Sequence, residues 1–550
     1  MKKLLRNSGY IFSLRQKNIL SAAIVLMVLI FISSFLGLLR NRLLAGTFFS
    51  GQERLLDVYF AAFRLPDMLY QLLVLGGLSA AFIPTFSEYM QKDKNEANKV
   101  ASSAINIAFV SFIFLALLVF VFAKVLSRLL APGFTGEEFY HMVRLTRLLL
   151  LAQAFFLLSS FLTGILQSYE RFLLPAVSAV LYNLSIIGGI VFFSHHFSIY
   201  GVVYGVMIGA FLHFLIQVPL TLKLGFNYSF LFNFRDPGVK KIFHLMLPRM
   251  LSLFTTQIFL SVSIFIASSL SAGALALYSF SQNIVALPVS LFGLTIGQAS
   301  LPSLSREASR DKEKFKELFL QSCTQIVYLS LPAGIVLLVL RIPLVRLALG
   351  AKNFPWEATI LTAKLVAVFS VSIVWQSLTQ LLVRFFYAKQ DTKTPFWLNM
   401  VNALIGIAFS YLLVYVFKFD IVGLAIAGSL SAFTYALCLI FFIGKKAENW
   451  FSKVFVNYIG RIFGINLLLS LFLWLLMKGF DHFLDTTKTL NLIILTVLTL
   501  FVSLSLYTIL SCIFRIKEIY SLLAVIKSFG RWKQIFSQSE EILEGNPGYD

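Results

Sequence analysis

Apolar runs long enough to cross a bilayer follow one another along almost the whole chain, and this pattern removes most folds from consideration. A helix needs about 20 apolar residues to span the hydrocarbon, and in lipid its backbone polar groups must be satisfied internally. About fourteen such runs can be counted, with cores at 19–39, 58–87, 102–123, 145–167, 173–194, 200–222, 243–268, 274–300, 318–340, 360–386, 395–417, 421–443, 457–477 and 490–514. Hydrophobic residues make up 58% of the chain and charged residues only 13%, with 58 Phe in 550 positions. The expected fold class is an all-α polytopic membrane protein.

The formal charge of +21 is no sign of nucleic acid. Lys and Arg gather in the short segments between apolar runs, where they set topology and favour anionic lipid surfaces. With a cytoplasmic N-terminus, roughly 30 of the 46 basic residues fall on the cytoplasmic side, which predicts both termini inside. The basic start MKKLLRNSGYIFSLRQK leads into a full-length run without a small-residue cleavage site, so no cleaved signal peptide is expected. Cys323, Cys438 and Cys512 lie in separate apolar runs and read as small core residues, with no disulfide or metal framework.

One run is unlike the rest. In DVYFAAFRLPDMLYQLLVLGGLSAAFIPTFSE (57–88), Asp57, Arg64 and Gln71 recur every seven positions with Asp67 beside them, so one helical face is polar. A charge near the bilayer centre costs about 2.5–3.5 kcal/mol on insertion scales, and such groups usually line a bundle interior or a wet cavity. The face therefore points to a pathway. Its structural alternative is an internal Arg64–Asp67 pair that serves assembly alone.

The chain also repeats itself at an offset of about 220 residues. GLSAAFIPTFSE (77–88) matches GQASLPSLSRE (297–307), and each runs into a charged amphipathic segment. The fifth and eleventh runs open at Pro175 and Pro395, the sixth and twelfth at Gly201 and Gly423. Six runs separate the copies, so the two halves share an orientation about an axis along the membrane normal. The expected organisation is an N-lobe over 1–225, a C-lobe over 226–450, two added helices over 451–515 and a cytoplasmic tail over 516–550. Such lobes commonly rock to open a central site to each side in turn.

These residues carry a resemblance. The stretches SSFLGLLRNRLLAGTFF (33–49), DVYFAAFRLPDMLYQLLVLGGLSAAFIPTFSEY (57–89), QIFLSVSIFIASSL (257–270), LPSLSREA (301–308) and above all FYAKQDTKTP (386–395) resemble the MurJ (MviN) family of the MOP exporter superfamily. The resemblance covers the first twelve runs, and the two added helices fit a fourteen-helix plan. It implies a flippase in the bacterial cytoplasmic membrane that moves lipid II, an undecaprenyl-diphosphate-linked disaccharide-pentapeptide, from the inner to the outer leaflet. It also implies a cationic cavity for the diphosphate and sugar, and a groove at the last two helices for the lipid tail.

Carried over by position, Arg40 matches a first-helix arginine, Asp57 the acidic residue opening the second helix, and Arg64 a basic position within it. The chain departs from the family pattern at Ser34, Asn41, Tyr70, Leu75, Asn283 and Ala286, where charged residues are usual. The chain is thus a divergent member whose diphosphate grip has to be rebuilt from what remains.

A diphosphate is best held by bidentate, permanently charged guanidinium groups. The candidate substrate-binding set is Arg40, Arg42, Asp57, Arg64, Asp67, Arg249, Gln257 and Asn283. Arg249 shares a helical face with Ser252 and Thr256 and is expected to stand in for the missing eighth-helix arginine; the alternative is an interfacial anchor. Gln257, Gln282, Asn283 and Gln298 offer hydrogen bonds to sugar or peptide, or else glue helices together. Gln376, Gln380 and Arg384 form a four-residue-spaced stripe leading into FYAKQDTKTP, where Asp391 and Thr392 read as a turn that caps the next helix.

No catalytic or nucleotide motif stands out: there is no Walker sequence, no H-E-x-x-H and no nucleophile elbow, and the adjacent His195 and His196 point to different faces. The expectation is a transporter without cofactor or metal, driven by the membrane potential, an ion gradient or consumption of product. The expected partners are lipid II or a related undecaprenyl-diphosphate lipid, the membrane itself and cell-wall synthesis proteins; in the scaffold reading below, the last would dock on 88–99 and 305–317. Two other readings stay open at this stage: an exporter of a different polyprenyl-diphosphate glycan, and a transport-inactive cell-wall scaffold.

Overall fold

The computed structural model describes residues 19–49, 51–75, 81–308, 310–351, 353–446, 453–483, 485–486 and 488–520. The basic N-terminal segment, Gly77 to Ala80 of the repeat motif and the acidic end of the tail lie outside the described residues. Every described regular element is helical. In chain order these are α1 (Ile19–Phe48), α2 (Glu53–Ala62), α3 (Arg64–Tyr70), α4 (Ile83–Lys92), α5 (Lys94–Val121), α6 (Ala123–Leu130) and α7 (Gly136–Ser168). They continue as α8 (Leu173–Gly188), α9 (Ser194–Phe197), α10 (Ile199–Leu215), α11 (Val218–Lys223), α12 (Pro237–Ser268), α13 (Ala274–Pro288) and α14 (Thr295–Glu307). The remainder are α15 (Lys312–Val339), α16 (Arg341–Leu349), α17 (Trp356–Ala388), α18 (Lys393–Tyr411), α19 (Asp420–Lys446), α20 (Lys453–Phe483) and α21 (Thr489–Ile513).

Among the described residues, eleven helices are long and apolar enough to cross a membrane. The other three expected spans are helical as well: 19–39 lies in α1, 243–268 in α12, and 58–87 is divided among α2, α3 and α4.

That division corrects the simple seven-residue face. Pro66 has no N–H to give the Ala62 carbonyl, so the helix breaks at Phe63. The Thr146 hydroxyl donates to that freed carbonyl at 3.3 Å, which keeps it satisfied away from water. A wide π turn over Gln71–Leu75 follows and rotates the polar side chains relative to a straight helix.

The chain forms two compact units. The first takes the described residues up to Ile284, Ala348–Phe369 and Thr392–Tyr435. Its core includes Phe82, Phe86, Phe112 and Phe161, all buried. Glycines let helices meet closely there: a Cβ on Gly205 of α10 would lie 2.8 Å from the Ser185 carbonyl of α8. The second unit takes Val285–Leu347, Ser370–Asp391 and the described residues from Ala436 onward. In it α20 packs on both α15 and α21. The Tyr328 hydroxyl bonds Ser511 at 3.0 Å, and the Tyr507 hydroxyl bonds the Tyr328 carbonyl at 2.7 Å. Outward-facing Leu467, Leu471, Phe501 and Leu504 leave an apolar surface suited to lipid.

The sequence repeat has a local structural counterpart. Helix α7 ends with Glu170 at φ 59°, and the Arg171 N–H returns to the Leu166 carbonyl; α17 ends with Gln390 at φ 59° and the Asp391 N–H on Phe386. Both are Schellman ends without glycine. The π segments recur in step, at Gln71–Leu75 and Val289–Leu294, and at Gly189–Phe193 and Leu412–Val416. Asp93 and Asp311 cap α5 and α15 in the same way, each accepting from the backbone two residues on. Thr392, expected to cap α18, occupies the N-cap position without a side-chain bond. Of the cysteines, Cys323 is buried as expected, but Cys512 is exposed on α21, because its face of that helix is not covered.

Candidate functional site

The site is built on α2, α3 and the π turn after them, packed within the first unit against α12 and the start of α13. It has three levels.

At the α2 end, Asp57 is fully buried. Its two oxygens accept from the backbone N–H of Gly273, at 2.7 Å, and of Ala276, at 2.8 Å. Asp57 thus caps the N-terminus of α13 from another helix, satisfying donors that the first turn leaves open. Gly273 at φ 82° makes the turn that presents them. One turn before Asp57, Arg54 donates to the carbonyls of Ser268 and Leu270 at 3.0 and 2.9 Å, where α12 ends, and pairs with Glu138 at 3.2 Å. A cation there complements the helix C-terminus. Arg54 also lies 3.8 Å from Asp57, so the i, i+3 pair ERLLD was the available sequence signal for a residue that the motif reading left out.

At the middle level, Arg64 is buried, and among the described residues no carboxylate oxygen lies within ion-pair distance of it. Its guanidinium donates to the Gln257 carbonyl at 2.6 Å, to the Gln257 amide oxygen at 2.5 Å and to Ser261 at 3.1 Å. The Gln257 amide in turn donates to Gln71 at 2.7 Å, and Gln71 donates to Asp67 at 2.5 Å. The internal Arg64–Asp67 pair considered above is not a direct contact, although the two charges still act on each other through space. Arg64 turns to α12, and Asp67 is held one turn further along its own helix by Gln71. Gln257 is the junction of this row, and Ser261, one turn on, was not singled out in the sequence.

Arg40, on α1, donates to Asn183 at 3.3 Å and to Asn41 at 3.4 Å, and no ion pair holds it among the described residues. The Tyr70 hydroxyl, standing where a charged residue is usual, shares a hydrogen bond with Ser160 at 2.8 Å. Arg42 is half-buried on α1. Asn283 is exposed on α13, away from the hydrogen-bonded row. Arg249 is in α12, but its side chain lies outside what the structure describes. In the second unit, Gln376 of the α17 stripe donates to Ser372 at 2.8 Å, and Arg384 donates to the Gln380 carbonyl.

At the α4 end, Glu88 bonds Lys241 of α12 at 2.6 Å and Lys92 at 3.1 Å. The two lysines hold its carboxyl below the ordinary value. Tyr89 lies against Gly238, whose Cβ, were there one, would come within 2.9 Å of the ring.

An apolar helix packing therefore holds a buried guanidinium, a second cation at Arg40 and a chain of amides, and among the described residues of this site no nucleophile lies beside a base for covalent chemistry. The sequence model of the family described as Lipid II flippase MurJ matches residues 44–496, most of the chain. The chain belongs to the MurJ family. A lipid II flippase MurJ of Burkholderia cenocepacia is 28% identical over 69% of this chain and 75% of its own length. A probable lipid II flippase MurJ of Rickettsia prowazekii is 26% identical over 78% of this chain and 84% of its own. A solved MurJ structure in an inward closed conformation superposes with a TM-score of 0.73 at 23% identity, covering 89% of this chain and 98% of that one. An inward-facing multidrug MATE transporter of the MOP superfamily follows at 0.63 and 16% identity, covering 78% and 99%. These two likenesses bear on the fold.

Proposed function

We propose that this chain flips lipid II from the inner to the outer leaflet of the bacterial cytoplasmic membrane by alternating access. It is a transporter, not an enzyme. The observation that carries the reading is the match to the MurJ family across 44–496, together with the buried Arg64 inside that region, whose direct hydrogen-bond partners are neutral. A family flippase has a use for a guanidinium in an apolar bundle, whereas a scaffold bears its insertion cost without return. Family membership likewise favours lipid II over another polyprenyl-diphosphate glycan.

In this reading the diphosphate exchanges places with the Gln257 oxygens as acceptor for Arg64, with Arg40 as second donor. Arg42, Asp67, Asn283 and Arg249 complete the set, and Asp57 acts by holding α13 to α2. Fourteen spans form two six-span lobes over 1–225 and 226–450 related by a pseudo-twofold axis, with the lipid-tail groove at 451–515 and both termini in the cytoplasm. The membrane potential or an ion gradient resets the cycle.

The test is native mass spectrometry of the purified protein with lipid II, a competing undecaprenyl-diphosphate glycan and a bulk anionic phospholipid, on the wild type and on Arg40→Ala and Arg64→Ala. Selective retention of lipid II that fails in both variants is expected. Equal retention of all three lipids, indifferent to the substitutions, would overturn the assignment.

A further inference from the structure

A second cationic feature lies apart from the Arg64 row. At the end of the first unit where α5 finishes and α10 begins, a cavity of about 470 Å3 is lined by Phe120, Arg144, Arg147, Phe197, Tyr200 and Tyr204. Arg144 and Arg147 stand three apart on α7 and so share a face. Among the described residues neither forms an ion pair, although each is fixed in direction. The Arg147 Nε donates to the Phe120 carbonyl at 3.0 Å, at the C-terminal end of α5, and its guanidinium lies over the Phe120 ring at 4.8 Å. That leaves its two terminal nitrogens with no hydrogen bond among the described residues. Arg144 lies over the Tyr140 ring at 4.9 Å and faces the Tyr200 hydroxyl, which is itself positioned by His141 at 2.8 Å.

Two oriented guanidiniums with free N–H groups, and tyrosine hydroxyls beside them, form a receptor for a phosphate. The rim says which kind. Phe120, Val121, Phe122 and Phe197 are 45%, 60%, 53% and 53% exposed, an apolar surface continuous with the cavity mouth. A soluble anion has no use for that surface, whereas acyl chains cover it. We infer that this cavity binds the phosphodiester headgroup of an anionic membrane phospholipid, with Arg144 and Arg147 on the phosphate and the aromatic rim against its acyl chains. On the topology proposed above, this is an outer-leaflet site. It requires only that the chain sits in a bilayer and is separate from the lipid II row. Bound there, the lipid ties the ends of α5, α7 and α10 together.

The experiment uses the full chain in detergent, titrated with phosphatidylglycerol, phosphatidylcholine and inorganic phosphate, with bound lipid counted by native mass spectrometry. Arg144→Gln with Arg147→Gln should weaken phosphatidylglycerol binding about tenfold or more. Phosphatidylcholine should bind more weakly to the wild type, and lipid II retention should be unchanged in the double variant. Because Arg147 also holds the end of α5, the exposed Arg144→Gln is tested alone: it should give a smaller loss of the same sign, restored in part by Arg144→Lys. Unchanged phosphatidylglycerol binding in these variants would overturn the site. Competition by millimolar inorganic phosphate as effective as by the lipid would overturn the headgroup assignment in favour of a free-anion site.

Discussion

The two ends of the contact between the second-helix segments and α12 are held by opposite kinds of chemistry. At the α2 end, a buried carboxylate takes two backbone amides of α13, and Arg54 takes two backbone carbonyls where α12 stops. At the α4 end, Glu88 meets Lys241 through side chains that are 43% and 50% exposed. Backbone partners cannot rotate away, and the buried end has no water to replace them, so opening it leaves donors unpaired. The exposed ion pair exchanges protein for water and is screened by salt. In the alternating-access cycle proposed above, this asymmetry makes the α4 end the one expected to yield first.

The strongest way to break the comparison is Asp57→Ala. It unpairs the Gly273 and Ala276 amides, each worth about 1–3 kcal/mol when buried, so a loss of about 2–6 kcal/mol is expected in denaturant unfolding in micelles. Hydrogen exchange at those two amides should accelerate, and unchanged exchange would mean that Asp57 does not hold α13. Next in size, Arg64→Ala removes the middle tie and the guanidinium offered to the diphosphate. Charge-assisted bonds of about 1.5–3 kcal/mol predict a drop in lipid II retention of about tenfold or more, read by native mass spectrometry. Gln257→Ala should do less, about 1 kcal/mol in unfolding, because it takes a neutral amide from Arg64 and Gln71 while the Gln257 carbonyl stays in place.

The smallest effect belongs to the α4 end. Glu88→Gln should leave the unfolding midpoint unchanged, yet spin labels on Gln91 and Lys240 should report a wider distance distribution at low salt. The sign with pH follows from the lowered carboxyl of Glu88. Its contribution is present above the ordinary carboxylate value of 4.5 and is lost as pH falls through the lower value in the folded state, so at low salt the wild-type labels should separate in acid and not at neutral pH. If the α2 end responds to salt or acid as readily, the asymmetry is wrong.

Much of this was legible along the chain, and the reasons are local. Hydropathy marked the spans, because the cost of an unpaired backbone group in lipid depends on the segment itself. The repeat near Pro175 and Pro395 reappears as matching Schellman ends at Glu170 and Gln390. Asp57, Arg64 and Gln257 were all picked out as polar residues in apolar runs. Arg54 was not, because it stands just before the run and looks like an ordinary interfacial cation. The straight seven-residue face did not survive either, since Pro66 breaks the helix and the π turn rotates Gln71.

By itself the sequence determined that the chain is helical, membrane-spanning and internally repeated, and that a few charges had to be hidden from lipid. Period, length and turn chemistry decide those matters within a few turns of helix. Only the tertiary structure decided what hides each charge. Asp57 meets Gly273 and Ala276, and Arg64 meets Gln257 rather than the nearer Asp67. A helical face specifies which side chains emerge together, but the groups that face them come from helices some 200 residues away, brought there by packing that no local pattern encodes.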